Sequence, residues 1–301
     1  MGDRLVVSLG ENAVFEKGLE YTEKGEVEAL KNAAKTVAGL IKEGYEVTVV
    51  FGCENYTDRV VCGKDVNYSL IDCIKEAQKA YGEKFCEYLN ALLEKTDDEK
   101  RAKYVEVNVL VDAKDRAFRS PSVFIGNAYQ RSDAKKIARL RSYKVKEAPG
   151  GGFRRILSSP VPRDVLNTEV LSDFDTAVLV CGGGIPFTAD GKTIDCVVEK
   201  DLTAGLVADI LEAQCLLNLT DIEYAYTGFI GSKKAPIRRM TYDEAERHFI
   251  HGEFLIGTML PKVEAGMRFV RDNGKRRAII STLEKASDAM HLKTGTIIVF
   301  R

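Results

Sequence analysis

Three glycines and two lysines are the residues of this chain best suited to chemistry. An apolar run, Ala177–Cys181, empties directly into Gly182, Gly183 and Gly184. Glycines placed after a strand let backbone N–H groups come close to an anion, and a helix N-terminus downstream adds partial positive charge. Glu199-Lys200-Asp201 follows at the head of a helical pattern, which puts an ammonium group near the triple-glycine turn. Lys262 lies in Gly257-Thr258-Met259-Leu260-Pro261-Lys262-Val263-Glu264-Ala265, a Gly/Pro turn that opens another helix. Two lysines at loop-to-helix junctions suit phosphoryl transfer, where catalysis is mainly alignment and neutralisation of charge on the moving group. Each feature also has a plainer reading, a tight turn for the glycines and an exposed helix start for either lysine. Neither segment carries the Walker A pattern, so the common nucleoside-triphosphate loop is not indicated.

Composition narrows the chemistry further. The chain has 301 residues, enough for one large α/β unit or two apposed lobes. Lys+Arg and Asp+Glu number 44 and 45, for a formal charge of −1, which argues against a nucleic-acid partner. No run is long and apolar enough to span a membrane, and the N-terminus enters a strand without the pattern of a signal peptide. The expectation is a cytoplasmic protein without a membrane partner. Seven cysteines, Cys53, Cys62, Cys73, Cys86, Cys181, Cys196 and Cys215, form no C-x-x-C pair and read as reduced core residues. With only His248, His251 and His291 available, no protein-bound metal site is expected.

The elements that must position these residues begin with Arg4–Leu9, a short β-branched strand ending in Gly10-Glu11-Asn12-Ala13. Gly25–Glu43 has apolar residues at helical spacing, and Glu46–Phe51 is a second buried strand ending at Gly52. A strand, helix and strand of these lengths form a βαβ unit, whose ligands bind beyond the carboxyl ends of the strands. The turns Gly10–Ala13 and Gly52–Asp58 therefore belong at the same edge as the triple glycine. Ser69–Glu94 reads as a long helix and Val105–Val111 as a third strand. From Asp112 to Gly152 the composition turns charged and irregular, which suits a lid or small subdomain. Phe153–Ser159 resumes a strand pattern. Helices are expected at Leu202–Glu212, Thr241–His251, Val263–Asn273 and Leu283–Met290, and strands at Cys215–Leu219, Arg277–Ser281 and Gly295–Phe300.

Taken together, these residues resemble the carbamate kinases of the amino acid kinase family over nearly the whole chain. The resemblance is carried by Val6-Val7-Ser8-Leu9-Gly10 with Asn12-Ala13, by Val111-Asp112 through Ala117-Phe118 and Pro121, and by Gly152-Phe153-Arg154-Arg155 with Ser159-Pro160. It continues through Cys181-Gly182-Gly183-Gly184-Ile185-Pro186, Glu199-Lys200-Asp201-Leu202, Leu219-Thr220-Asp221, Tyr226, Pro261-Lys262-Val263-Glu264-Ala265 and Gly295-Thr296. It implies a three-layer αβα sandwich with a mainly parallel central sheet, one kinase-like domain over 1–301 and a protruding subdomain at 112–152. The N-terminal half would form the acceptor side and 177–301 the nucleotide side. A homodimer using ATP or ADP, Mg2+ and a small acceptor is implied as well.

Carried over by position, Lys200 and Lys262 would stabilise the transferring phosphoryl group, with Glu199 and Asp201 beside them. Gly10, Asn12, Gly182, Gly183 and Gly184 would lie near the phosphates, and Thr220, Asp221, Tyr226, Met259 and Pro261 would form the nucleotide pocket. Glu199 replaces the family's aspartate. The acceptor side departs further: Gly10-Glu11-Asn12 stands for Gly-Gly-Asn, and Phe51-Gly52-Cys53-Glu54-Asn55-Tyr56-Thr57-Asp58 for His-Gly-Asn-Gly-Pro-Gln-Val-Gly. Val123 occupies the place of a subdomain lysine. Glu11 and Glu54 are expected to bring negative charge to the acceptor pocket. Three readings follow: the family reaction on carbamate, a related acceptor with a cationic group that would suit Glu11, Glu54 or Asp58, or a nucleotide-binding protein without catalysis.

Overall fold

The computed structural model describes residues 2–15, 22–64, 67–95, 100–171, 176–227, 235–254 and 257–301. The chain begins β1 (Arg4–Leu9), α1 (Glu11–Val14), α2 (Glu23–Lys42), β2 (Glu46–Phe51), α3 (Glu54–Cys62), α4 (Leu70–Leu93), β3 (Arg101–Val105) and β4 (Asn108–Val111). It continues β5 (Val123–Tyr129), α5 (Arg131–Arg141), β6 (Val145–Glu147), β7 (Phe153–Leu157), β8 (Pro162–Val165), β9 (Thr176–Cys181) and β10 (Ile185–Phe187). The rest is α6 (Lys200–Ile210), β11 (Cys215–Thr220), β12 (Ala225–Thr227), β13 (Ala235–Ile237), β14 (Arg239–Thr241), α7 (Tyr242–Ile250), α8 (Met259–Val270), β15 (Arg277–Thr282), α9 (Ala286–Met290) and β16 (Thr296–Val299).

Eight of these strands make the central sheet in the order β14-β16-β15-β11-β1-β2-β9-β3, parallel throughout except where β15 meets β16. Strand alternation divides the core in two. Leu5, Val7 and Leu9 of β1 face the buried apolar sides of α2, α4 and α9. Val6, Leu216 and Ile280 face α6 and α8 on the opposite side. The result is the expected three-layer αβα sandwich. From β1 the chain builds outward through β2 and β9 on one side and through β11 and β15 on the other, so the order of construction reverses between β1 and β11. Open parallel sheets bind ligands at such a reversal.

Two local expectations change. The run Val105–Val111 is two strands in different sheets, since β3 edges the large sheet while β4 sits between β10 and β8. Asn167 makes the transfer possible: its amide donates to the Glu106 carbonyl (2.8 Å) and its oxygen accepts the Asn108 N–H (2.8 Å), satisfying the backbone at the break. The two turns expected after β1 and β2 wind into helices instead, α1 directly after Gly10 and α3 directly after Cys53. The irregular stretch after Asp112 contains β5, α5 and β6, and β5 and β6 flank β7 in a sheet of their own.

Candidate active site

The carboxyl ends of three adjacent strands, β1, β2 and β9, meet at glycines. Gly10 N–H donates to the Leu219 carbonyl (3.1 Å), Gly52 N–H to Leu9 (2.8 Å) and Gly182 N–H to Phe51 (2.7 Å), so the parallel ladder runs one step past β1, β2 and β9. At Gly183 a β-carbon would stand 2.0 Å from the Val198 carbonyl oxygen, and Gly184 has φ +83°. Only glycine fits that turn. Thr203 of α6 donates from its hydroxyl to the Gly183 carbonyl (2.9 Å), tying the triple glycine to the helix that carries Lys200.

Lys200 opens α6 and Lys262 lies in the first turn of α8, and one carboxylate holds both. Lys200 Nζ donates to Asp201 Oδ1 (2.5 Å) and Lys262 Nζ to Asp201 Oδ2 (2.8 Å). Ser8 on β1 completes the set: its hydroxyl donates to Asp201 Oδ1 (2.5 Å) and accepts from Lys200 Nζ (3.2 Å). All four residues are buried. Burial alone pushes the Asp201 carboxyl up, but the Lys200 and Lys262 ammonium groups outweigh it and hold Asp201 well below the usual carboxylate range. Burial likewise works against the charged form of Lys200, and the charges of Asp201, Glu54 and Glu199 overcome it to raise its pKa. The Lys200 side chain lies against the first two glycine turns, with Cε 3.0 Å from where a Gly52 β-carbon would stand and 3.9 Å from the corresponding Gly10 point.

Three glutamates surround this cluster. Glu199 caps α6 by position without a side-chain cap bond, and burial together with the Asp201 charge pushes its carboxyl up to about 7. Glu11 is buried, and burial followed by the Glu54 charge raises it to about 8. The expected negative charge at Glu11 is thus largely absent at neutral pH. Glu11 has a structural use instead: Oε2 accepts the Asn55 N–H (2.8 Å) at the start of α3, where Cys53, the N-cap residue, makes no side-chain bond. Glu54 is exposed at the first position of α3. Asp58, expected as a free acidic group, is bound by Arg154 Nη2 (2.7 and 2.8 Å) and by the Gly126 N–H (2.7 Å). This fork joins α3 to the β5-β7-β6 sheet across a cavity of about 210 Å³ that reaches from Glu54 to the triple glycine, with Val123 and Phe124 in its wall.

The nucleotide-side residues expected from sequence are spread along the same edge. Thr220 ends β11 and donates from its hydroxyl to Asp221 (3.2 Å), while Asn12 is exposed on α1. Tyr226 lies half-buried in β12, paired in register with Pro236 of β13. Met259 is buried at the first position of α8, two residues before Pro261. Because α8 starts at Met259 rather than Val263, Lys262 is part of the helix. The cysteines are free thiols, six of them buried and Cys62 half-buried. Sequence reading did not assign a role to Ser8, Gln78 or Arg154; Gln78 Nε2 reaches the Gly184 carbonyl at 3.5 Å from α4. A serine inside an apolar strand was the one signal available for Ser8. Among the described residues no group of three or more His, Cys, Asp or Glu side chains could hold a metal ion, and no helix is long and apolar enough to cross a membrane.

A model of the amino acid kinase family matches residues 3–281. A carbamate kinase of Pyrococcus horikoshii is 32% identical over 98% of this chain and 99% of its own length, and one of Clostridium perfringens is 30% identical over the same shares. Among solved structures, carbamate kinase from Giardia lamblia bound to AMP-PNP superposes with a TM-score of 0.91 at 25% identity, covering 99% of this chain and 98% of that one.

Proposed function

The chain belongs to the amino acid kinase family, and on that premise we propose that it is a kinase moving a phosphoryl group between an adenine nucleotide and carbamate or a closely related small acceptor. The observation that carries the proposal is the buried Lys200-Asp201-Lys262 cluster between the glycine turns. One carboxylate orients two ammonium groups where they can neutralise charge building on a transferring phosphoryl group. In the direction of ATP formation, an oxygen of the ADP β-phosphate bonds to phosphorus of carbamoyl phosphate. The bond from phosphorus to the carbamate oxygen breaks, and carbamate leaves with the electron pair. Lys200 and Lys262 face the moving group, and Asp201, Ser8 and Glu199 set their positions. Gly10, Asn12 and Gly182 to Gly184 receive the phosphates, and Thr220, Asp221, Tyr226, Met259 and Pro261 receive the nucleoside. Glu11, Gly52, Cys53, Glu54 and Asn55 form the acceptor side.

By family resemblance the nucleotide would bring Mg2+, an ion that keeps several waters and binds through substrate phosphates. Such an ion would offset phosphate charge. The proposal extends, by family resemblance, to a cytoplasmic homodimer in which residues 112–152 cover the acceptor side.

The test is ATP formation from ADP, Mg2+ and saturating carbamoyl phosphate. The unaltered protein is expected to form ATP, and Lys262→Ala is expected to lower kcat by about 100-fold with nearly unchanged nucleotide affinity. Nucleotide binding by calorimetry without any ATP formation would overturn the carbamate reading. A substrate screen would then separate a different acceptor from nucleotide binding without catalysis.

A further inference from the structure

At the N-terminus of α3, the acceptor side has the ingredients of an anion seat. The partial positive charge of the helix start lies there, its Asn55 N–H is held by Glu11, and the Lys200 side chain reaches the same Gly52 turn. In this chain the seat has an occupant of its own. The point where a β-carbon on Gly52 would stand is 2.8 Å from Glu54 Oε2, 3.0 Å from Lys200 Cε and 3.2 Å from Glu11 N. Glu54 therefore folds back over Gly52 and lays its carboxylate beside the Lys200 stem. Glu11 closes the seat from below, its Oε2 taking the Asn55 N–H while Oε1 is buried without a partner.

The nearby cation open to an anionic acceptor, Arg154, is already engaged. Arg154 gives Nε to the Gly126 carbonyl (2.7 Å) and Nη2 to both oxygens of Asp58. Val123 and Phe124 add apolar surface to the cavity beside Glu54 and no charge.

Resting on the phosphoryl-transfer reading, we infer that Glu54 determines acceptor specificity: its carboxylate holds the place beside Lys200 that an anionic acceptor needs. The site thereby discriminates against free anions and favours a small acceptor that offers N–H donors to Glu54. The Glu54 charge acts on the whole cluster, adding to the upward shifts of Glu11, Glu199 and Lys200. An incoming anion must either displace this carboxylate or sit against it in a partly desolvated cavity, where like charges repel strongly.

The test compares the unaltered protein with Glu54→Gly and Glu54→Gln, the second keeping the side-chain volume and removing only the charge. Steady-state ATP formation gives KM and kcat for carbamoyl phosphate, and calorimetry with inorganic phosphate gives anion affinity without turnover. Both variants are expected to lower KM for carbamoyl phosphate by about tenfold or more, with kcat within about threefold, and to bind phosphate about tenfold more tightly. Unchanged phosphate affinity in folded variants overturns the inference, as does a fall in kcat at constant KM, which would place Glu54 in the chemistry. If no protein forms ATP, the phosphoryl-transfer reading fails by itself and the phosphate titration still decides the role of Glu54.

Discussion

Replacing Asp201 by Asn removes one charge and keeps the shape of the side chain, and the structure sets how much that charge is worth. The Asp201 side chain is 2% exposed, and its oxygens contact Lys200 and Lys262, whose side chains are 5% and 8% exposed. With Asn, two buried ammonium groups lose their counter-ion, and the new NH2 group must face a donor on at least one side. Breaking a buried pair by removing one partner costs about 3–5 kcal/mol, because the remaining charge stays desolvated. Set against a net stability of about 5–15 kcal/mol, this is a large share of what holds the fold. For a chain of this size it corresponds to a fall in Tm of about 5–15 °C. The dependence on pH follows from the direction of the shift. Asp201 is held below its unfolded pKa, so its stabilisation is complete above the unfolded value near pH 4 and fades as pH falls towards the folded one. The gap between the unaltered protein and Asp201→Asn should therefore be full at pH 7 and narrow below about pH 4. Thermal unfolding followed by circular dichroism at both pH values measures it. A Tm at pH 7 within about 2 °C of the unaltered protein would refute the reasoning, since it would mean water reaches the lysines freely.

Two further perturbations probe the surrounding frame. Glu11 is raised from its ordinary value to about 8, so the folded state binds its proton more tightly and loses stability as pH rises from about 5 to 8; Glu11→Gln keeps the acceptor for Asn55 and should flatten that loss by a few kcal/mol at most. Urea titrations at pH 5.5 and 8.5 check this, and parallel losses in both proteins would count against it. Gly183→Ala drives a methyl group into the Val198 carbonyl oxygen and should destabilise by about 3 kcal/mol or more, whereas Gly39→Ala, inside α2 with no neighbour within 4 Å, should stabilise by about 0.5–1 kcal/mol. Equal effects of the two alanines in urea denaturation would contradict that account.

The amino-acid sequence by itself determined the elements and the chemical parts. Short continuous apolar runs mark β1, β2 and β9, which are buried on both faces of the sheet, and helical spacing marks α2 and α4, each of which buries one face. Lys200, Lys262 and the glycines were legible because glycine after a strand and lysine at a helix start are local patterns. Tertiary structure alone decided how those parts combine. Asp201 is adjacent to Lys200 in sequence but 61 residues from Lys262, and Ser8 reaches both Lys200 and Asp201 from 193 residues away or nearly so. No spacing rule carries such contacts; they arise because the sheet reverses between β1 and β11 and brings α6 and α8 together over it. The same holds for the acidic side chains of the acceptor half. Sequence presents Glu11, Glu54 and Asp58 as three equivalent negative charges, yet folding buries and largely neutralises the first as a helix cap. It leaves the second beside Lys200 and spends the third on Arg154. Charge in a protein belongs to the environment as much as to the residue, and that environment exists only once distant segments have packed.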